Sequence, residues 1–166
     1  MPTVKTVTFD STTQPGDAIV SFAEKAGWQV AFASVTYREN QDPAVKLALN
    51  NHETLPELAV WDESSWDQAR WADEGSGTRL DQILAIISSR SFPKDRTNLT
   101  EKQQHQLRDA MVLEAHTAYE REVLVSDDLK AFINHQRREK LEALLHTRIL
   151  TRLEFHGELT RVAGTS

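Results

Sequence analysis

Acidic residues in this chain follow or face the ends of apolar runs in a way that suits cation chemistry. Asp10 follows Val7-Thr8-Phe9, Glu39 follows the run from Gln29 to Val35, and Asp127-Asp128 follow Val123-Leu124-Val125-Ser126. Asp109 lies in the first half of the long helix expected before that last run. Two carboxylates about 4 Å apart repel by about 4 kcal/mol at an effective dielectric of roughly 20. A cluster of such groups therefore takes up protons or binds a cation. An all-oxygen set completed by waters suits Mg2+ or Mn2+ and lacks the His and Cys ligands that zinc prefers. A cation held in this way activates water and stabilises charge on a phosphate. Any one of these acids alone reads more readily as a helix cap; their joint placement points to chemistry.

The elements that must position them alternate. Strands are expected at Val4 to Phe9, Gln29 to Val35, Leu58 to Trp61, Val123 to Ser126 and Arg148 to Leu150, from their β-favouring residues. Asp17 can cap a helix running to Ala26, with Gly27 as its stop, and Pro43 sits in the first turn of a helix reaching about Asn50. Ser64 with Asp67 opens a helix carrying Trp66 and Ala69, and Leu80, Ile83, Leu84 and Ile87 recur at helical spacing. Thr100 with Gln103 makes a capping box for a helix to about Tyr119, and another helix is expected from Asp128 through about Leu145. Strands alternating with helices indicate an α/β fold with a mostly parallel sheet of about five strands and helices on both faces. Ligands bind such sheets at the carboxyl ends of the strands, where these acids fall. Residues 1–161 read as one domain, with a helical elaboration around 62–98 and a loose tail at 162–166.

The 166 residues are enough for one domain with a proper core, and 39% hydrophobic with 27% charged residues is ordinary globular composition. No stretch approaches the roughly 18 consecutive apolar residues of a membrane helix, and the N-terminus shows no secretion signal. The chain has no cysteine, hence no disulfide framework or thiolate metal site, and this accords with a cytoplasmic protein. A net charge of -6 argues against a generally basic surface for nucleic acid. The segment from Lys130 to Arg152 is nevertheless net positive by four, which reads either as a solvated helix face or as a local phosphate-binding flank. Within it Lys130 is the better phosphate candidate, because Arg137 and Arg138 lie farther along a helix leaving the acidic edge.

The blocks around these acids resemble the PIN-domain family. Val7-Thr8-Phe9-Asp10-Ser11-Thr12 is similar to that family's first strand with its acid, and Ala33 to Glu39 to its strand leading to a helix-borne Glu. Leu107-Arg108-Asp109-Ala110-Met111 matches its helix beginning around Asp-Ala. Val123 to Phe132 is similar to its apolar strand followed by Ser/Thr, any residue, Asp and later Phe, and Ile149 to Phe155 resembles the closing strand. Thr12 stands where the family often has Asn, and Arg152 where Pro is common. The resemblance implies a three-layer α/β/α domain and metal-dependent endoribonuclease activity on single-stranded or looped RNA. Carried over by position, it implies Asp10, Glu39, Asp109 and Asp128 as Mg2+ or Mn2+ ligands, with Asp127 contributing through water or replacing Asp128. It gives Ser11, Thr12 and Ser126 supporting roles in orienting the carboxylates. Many members dimerise and some toxin-like ones are held inactive by an antitoxin peptide, so both kinds of partner are open to this chain.

Two other readings compete. One is a PIN-like module that no longer cuts and serves as an RNA- or protein-binding partner. The other is a phosphatase of the haloacid dehalogenase type, whose first strand also ends in Asp but which wants a second Asp two residues later, where Thr12 stands. The six histidines show no i, i+4 pair of the zinc kind and are expected on the surface or in packing, His116 included. Trp61, Trp66 and Trp71 are expected to pack around the third strand rather than to stack on bases, and Asp62-Glu63 to lead into a helix.

Overall fold

Thr6–Phe9 form β1, the central strand of a computed structural model that describes residues 3–33, 35, 42–58, 69–70, 75–89 and 91–165. β1 pairs in parallel with β2 (Gln29–Ala33), Val7 opposite Val30. On its other side it pairs with β6 (Val123–Val125), Val7 opposite Val123. β3 (Glu53–Leu55) and β7 (Arg148–Leu150) form the edges, so the five-stranded sheet is all parallel in the order β3-β2-β1-β6-β7. A separate two-stranded sheet joins β4 (Glu57–Leu58) to β5 (Ala69–Arg70).

Side chains alternate along each strand, and the core divides accordingly. Val7, Phe9, Val30, Phe32, Val123 and Val125 pack on one face against α1 (Ala18–Lys25), α2 (Pro43–Leu49) and α7 (Arg152–Ala163). Ala33, Leu124 and Ile149 pack on the other against α3 (Ser76–Ser88), α4 (Glu101–Ala118), α5 (Leu129–Phe132) and α6 (Arg137–Leu145). Helices thus cover both faces of the sheet, giving an α/β/α sandwich. Fully burying a Phe or Leu side chain contributes about 1.5–3 kcal/mol, and Phe9, Phe32, Phe132 and Phe155 are all wholly buried.

Local signals explain several boundaries. Asp17 caps α1 by accepting from the Ile19 N–H at 3.0 Å, and Gly27, at φ +86°, turns the chain into β2. Pro43 occupies the first turn of α2, capped by Asp42. The Thr100–Gln103 capping box forms as expected and opens α4.

Four expectations need correction. Of the strand expected from Leu58 to Trp61, Leu58 lies in β4 of the small sheet and residues 59–61 lie outside the described residues; the third strand of the main sheet is Glu53–Leu55. As an edge strand it needs only Leu55 buried, so no apolar run advertises it. Ala69 lies in β5 rather than in a helix, while Trp61, Asp62, Glu63, Trp66 and Trp71 lie outside the described residues. The helix expected from Asp128 to Leu145 is broken, because His135 and Gln136 adopt left-handed backbone at φ 57° and 62°. That break lets α6 re-aim so that Leu141 and Leu145 reach the core. The chain also stays helical through Ala163, since the Thr151–Glu154 capping box starts α7 and Phe155 and Leu159 anchor it. Within the 62–98 stretch, Leu80, Ile83, Leu84 and Ile87 of α3 share one core cluster with α4.

Candidate active site

In the order β3-β2-β1-β6-β7, the chain's connections diverge between β1 and β6, the point at which parallel α/β sheets open a crevice at their carboxyl end. Asp10 leaves β1 there, and Ser126, Asp127 and Asp128 leave β6. The Asp10 N–H donates to the Val125 carbonyl at 3.3 Å, which extends the β1–β6 ladder by one residue and fixes where the carboxylate begins.

Asp10 is only 4% exposed. Its Oδ1 accepts from the Thr12 N–H at 3.0 Å and from the Thr12 hydroxyl at 2.5 Å. The Ser126 hydroxyl also bonds to it. Burial pushes the Asp10 carboxyl up to about 6, hydrogen bonds from Ser126 and Thr12 pull it partly back, and the nearby Asp128 charge pushes it up again. Thr12 Oγ1 accepts in turn from the Asp127 N–H at 3.0 Å, so one hydroxyl ties the loop after β1 to the loop after β6.

The two acids after β6 part company. Asp128 accepts the Ala131 N–H at 2.9 Å as cap of α5, while its own N–H donates to Ser126 Oγ at 3.0 Å. It lines a groove of about 690 Å3 together with Asp109 of α4 and Lys130 of α5. Asp127 instead accepts the Arg152 N–H at 2.9 Å and its Nε at 3.2 Å, and Arg152 Nη1 reaches Asp17 at 2.9 Å. Asp127 thus serves to hold α7 to the sheet, and Asp128 is the acid of the pair that faces the groove. Of the other expected residues, Ser11 is exposed and Glu39 lies outside the described residues.

The basic segment divides in the same way. Arg138 pairs with Glu154, Arg148 with Glu158 and Arg152 with two aspartates, while Lys130 and Arg137 line the groove. His116 is fully buried, with Nδ1 2.8 Å from Thr8 Oγ1 and Nε2 2.6 Å from Thr147 Oγ1. Thr147 Oγ1 donates to the Glu122 carbonyl at 3.1 Å. His116 therefore donates from Nε2 and accepts at Nδ1. Burial first, and the Arg121 charge second, push its imidazole down to about 3, so it is a neutral core residue.

The fit to a divalent cation is partial. Among the described residues no three of His, Asp or Glu form a group able to hold a metal ion. The described residues do supply an oxygen-only pair, Asp10 and Asp128, whose mutual repulsion a cation would relieve. Asp109 shares the groove with Asp128. Sequence reasoning missed Arg152 as the neutraliser of Asp127, which no local spacing reveals. It also missed Lys102 and His105 on the groove wall, although with Asp109 they recur at i, i+3 and i+7 along one helix face.

No protein-family model, curated protein or solved structure matches the chain. Among the described residues, no helix is long and apolar enough to cross a membrane.

Proposed function

We propose that this chain is a divalent-metal-dependent endoribonuclease of the PIN type, acting on single-stranded or looped RNA in the cytoplasm. The observation that carries this reading is the placement of Asp10 and Asp128 on the two loops that flank the β1–β6 crevice, beside a groove lined by Asp109 and Lys130. Asp10 and Asp128 would hold Mg2+ or Mn2+, with Asp109 and Glu39 as the further carboxylates that the family resemblance implies. Such a cation, when bound, supplies activation of water and charge stabilisation at phosphorus.

The chain's own residues have definable tasks. Thr12 and Ser126 fix the Asp10 carboxylate by hydrogen bonds, removing rotamers that would otherwise have to be frozen on binding. Lys130, exposed on the rim, offers a cation to a bound phosphate. Asp127, engaged by Arg152, keeps α7 against the sheet at the edge of the site.

A second reading, a PIN-like binding module that does not cut, is favoured by one observation: the absence of a three-acid metal group among the described residues. The phosphatase reading is disfavoured, because the position two residues after Asp10 carries a hydroxyl already donating to Asp10 and not a carboxyl group able to act as general acid.

Cleavage of a labelled RNA with Mn2+, with a chelator control and with Asp10→Asn beside Asp128→Asn, tests the proposal. Cutting that stops in chelator and in both folded variants supports it. Failure to cut any RNA, together with no rise in melting temperature on adding Mn2+, favours the silent module. Hydrolysis of small phosphomonoesters that stops in Asp10→Asn would revive the phosphatase.

A further inference from the structure

The groove beside Asp128 has two walls of different origin. One is the outer face of α4, carrying Glu101, Lys102, His105, Gln106 and Asp109, with Glu101 4.0 Å from the His105 ring. The other is α5 and the turn after it, carrying Lys130, Asn134 and His135, and Ile87 and Ser88 of α3 also line the groove. Arg137 also lines it, but its guanidinium is engaged within the protein, donating from Nη2 to Ser89 Oγ at 3.0 Å and from Nη1 to the Lys130 carbonyl. That latch holds the left-handed turn at His135 and Gln136 against α3. Lys102 and Lys130, both exposed, thus stand on different walls of one cleft, and Gln106 and Asn134 add an amide to each wall.

This pattern differs from a surface charge run. A strand of nucleic acid carries phosphates that lysines neutralise, and base edges that side-chain amides read by hydrogen bonding. Imidazole rings offer flat faces on which unpaired bases stack. A volume of about 690 Å3 falls in the range of about 300–1,000 Å3 that encloses small organic ligands, room for one or two nucleotides within the groove. We infer that the groove between α4 and the α5–α6 turn carries one single-stranded polynucleotide, its phosphates held by Lys102 and Lys130 and its bases set against Gln106, Asn134, His105 and His135. The strand then leads to Asp128 and Asp109. The inference takes its ligand class from the nuclease reading and adds the binding track, with α4 as its second wall.

The experiment measures binding of a short fluorescent oligouridylate to the full chain in chelator, so that no metal chemistry contributes. Wild type should bind the single strand more tightly than a duplex of equal length. Lys102→Ala and Lys130→Ala should each weaken binding about 3- to 10-fold, and each should lower the slope of log affinity against log salt by roughly 0.7. Gln106→Ala should weaken binding at unchanged salt slope. No measurable binding by wild type, equal binding of duplex, equal binding of a polyglutamate peptide, or unchanged affinity in the folded Lys102→Ala/Lys130→Ala double variant would overturn the inference. The two readings fail separately. Lysine-dependent binding without any Mn2+-dependent cutting leaves the track standing and removes the nuclease. Cutting with a KM indifferent to both lysines does the reverse.

Discussion

The Thr12 hydroxyl donates to Asp10 at 2.5 Å and its oxygen accepts the Asp127 N–H at 3.0 Å, joining the loops that follow β1 and β6 through a single side chain. A residue two positions after an acid is well placed for this, because Asp side chains turn back readily onto donors two residues on. On the proposed PIN reading, the position where Asn would be common is therefore occupied by a group that still orients the acid.

Replacing Thr12 by Val should remove both bonds at nearly constant volume. A lost hydrogen bond to a charged group costs about 1.5–3 kcal/mol, and Thr12→Val should approach the lower figure because the backbone N–H of residue 12 still reaches Asp10. Urea unfolding measures this loss, and Thr12→Ser should restore most of it. Equal stability of Thr12→Val and wild type would show that the tie contributes nothing.

Asp10 makes stability depend on pH in an unusual direction. Its folded carboxyl is pushed up to about 6 from an ordinary 3.8, mainly by burial. Between those values the folded state binds more protons than the unfolded one, so stability falls as pH rises from about 4 to about 6. The loss amounts to about 3 kcal/mol at neutral pH, taking about 1.4 kcal/mol for each unit. Asp10→Asn should abolish this component. Relative to wild type, the variant should gain stability between pH 4.5 and pH 7.5 in denaturant melts without metal. A difference between the two proteins that stays constant over that range would contradict the assignment.

His116 acts in the opposite sense. Its folded imidazole is pushed down to about 3 from an ordinary 6.5, so the folded state binds fewer protons than the unfolded one between those values. The stability due to the neutral ring is present above pH 6.5 and is lost as pH falls toward 3, at up to about 1.4 kcal/mol per unit. The His116 ring resonance should stay unchanged in NMR spectra from pH 8 to pH 5. A titration midpoint inside that range would show that the ring is not sealed between Thr8 and Thr147.

Much of the architecture is legible where local chemistry is strong. The run Val30 to Ala33 is buried on both faces, and its unbroken apolar character shows it. Asp17 and the Thr100–Gln103 box announce their helices because caps are short-range bonds, and Pro43 marks the first turn of α2. Glu53–Leu55 escapes notice because an edge strand is chosen by its partner: β2 and the Arg121 guanidinium, which reaches Glu53 at 3.4 Å and the Gln29 carbonyl at 2.6 Å, hold it in place. The break after α5 is invisible for the same reason, since no Gly or Pro marks residues 133–136 and the left-handed turn is held by the Arg137 latch. In the site, Asp10 and Asp128 can be placed from their strands. The division of labour between Asp127 and Asp128 depends on Arg152, 25 residues away from Asp127, and becomes visible only in three dimensions.

On the proposed reading Asp10 and Asp128 jointly attract a divalent cation, and direct titration of Mn2+ followed by the paramagnetic signal of the free ion measures that attraction. Wild type should deplete free Mn2+ at a stoichiometry of at least one per chain, with Mg2+ competing. Asp10→Asn and Asp128→Asn should each weaken that binding at least tenfold while remaining folded. Mn2+ left entirely free by wild type, or held equally well by both variants, would contradict the account.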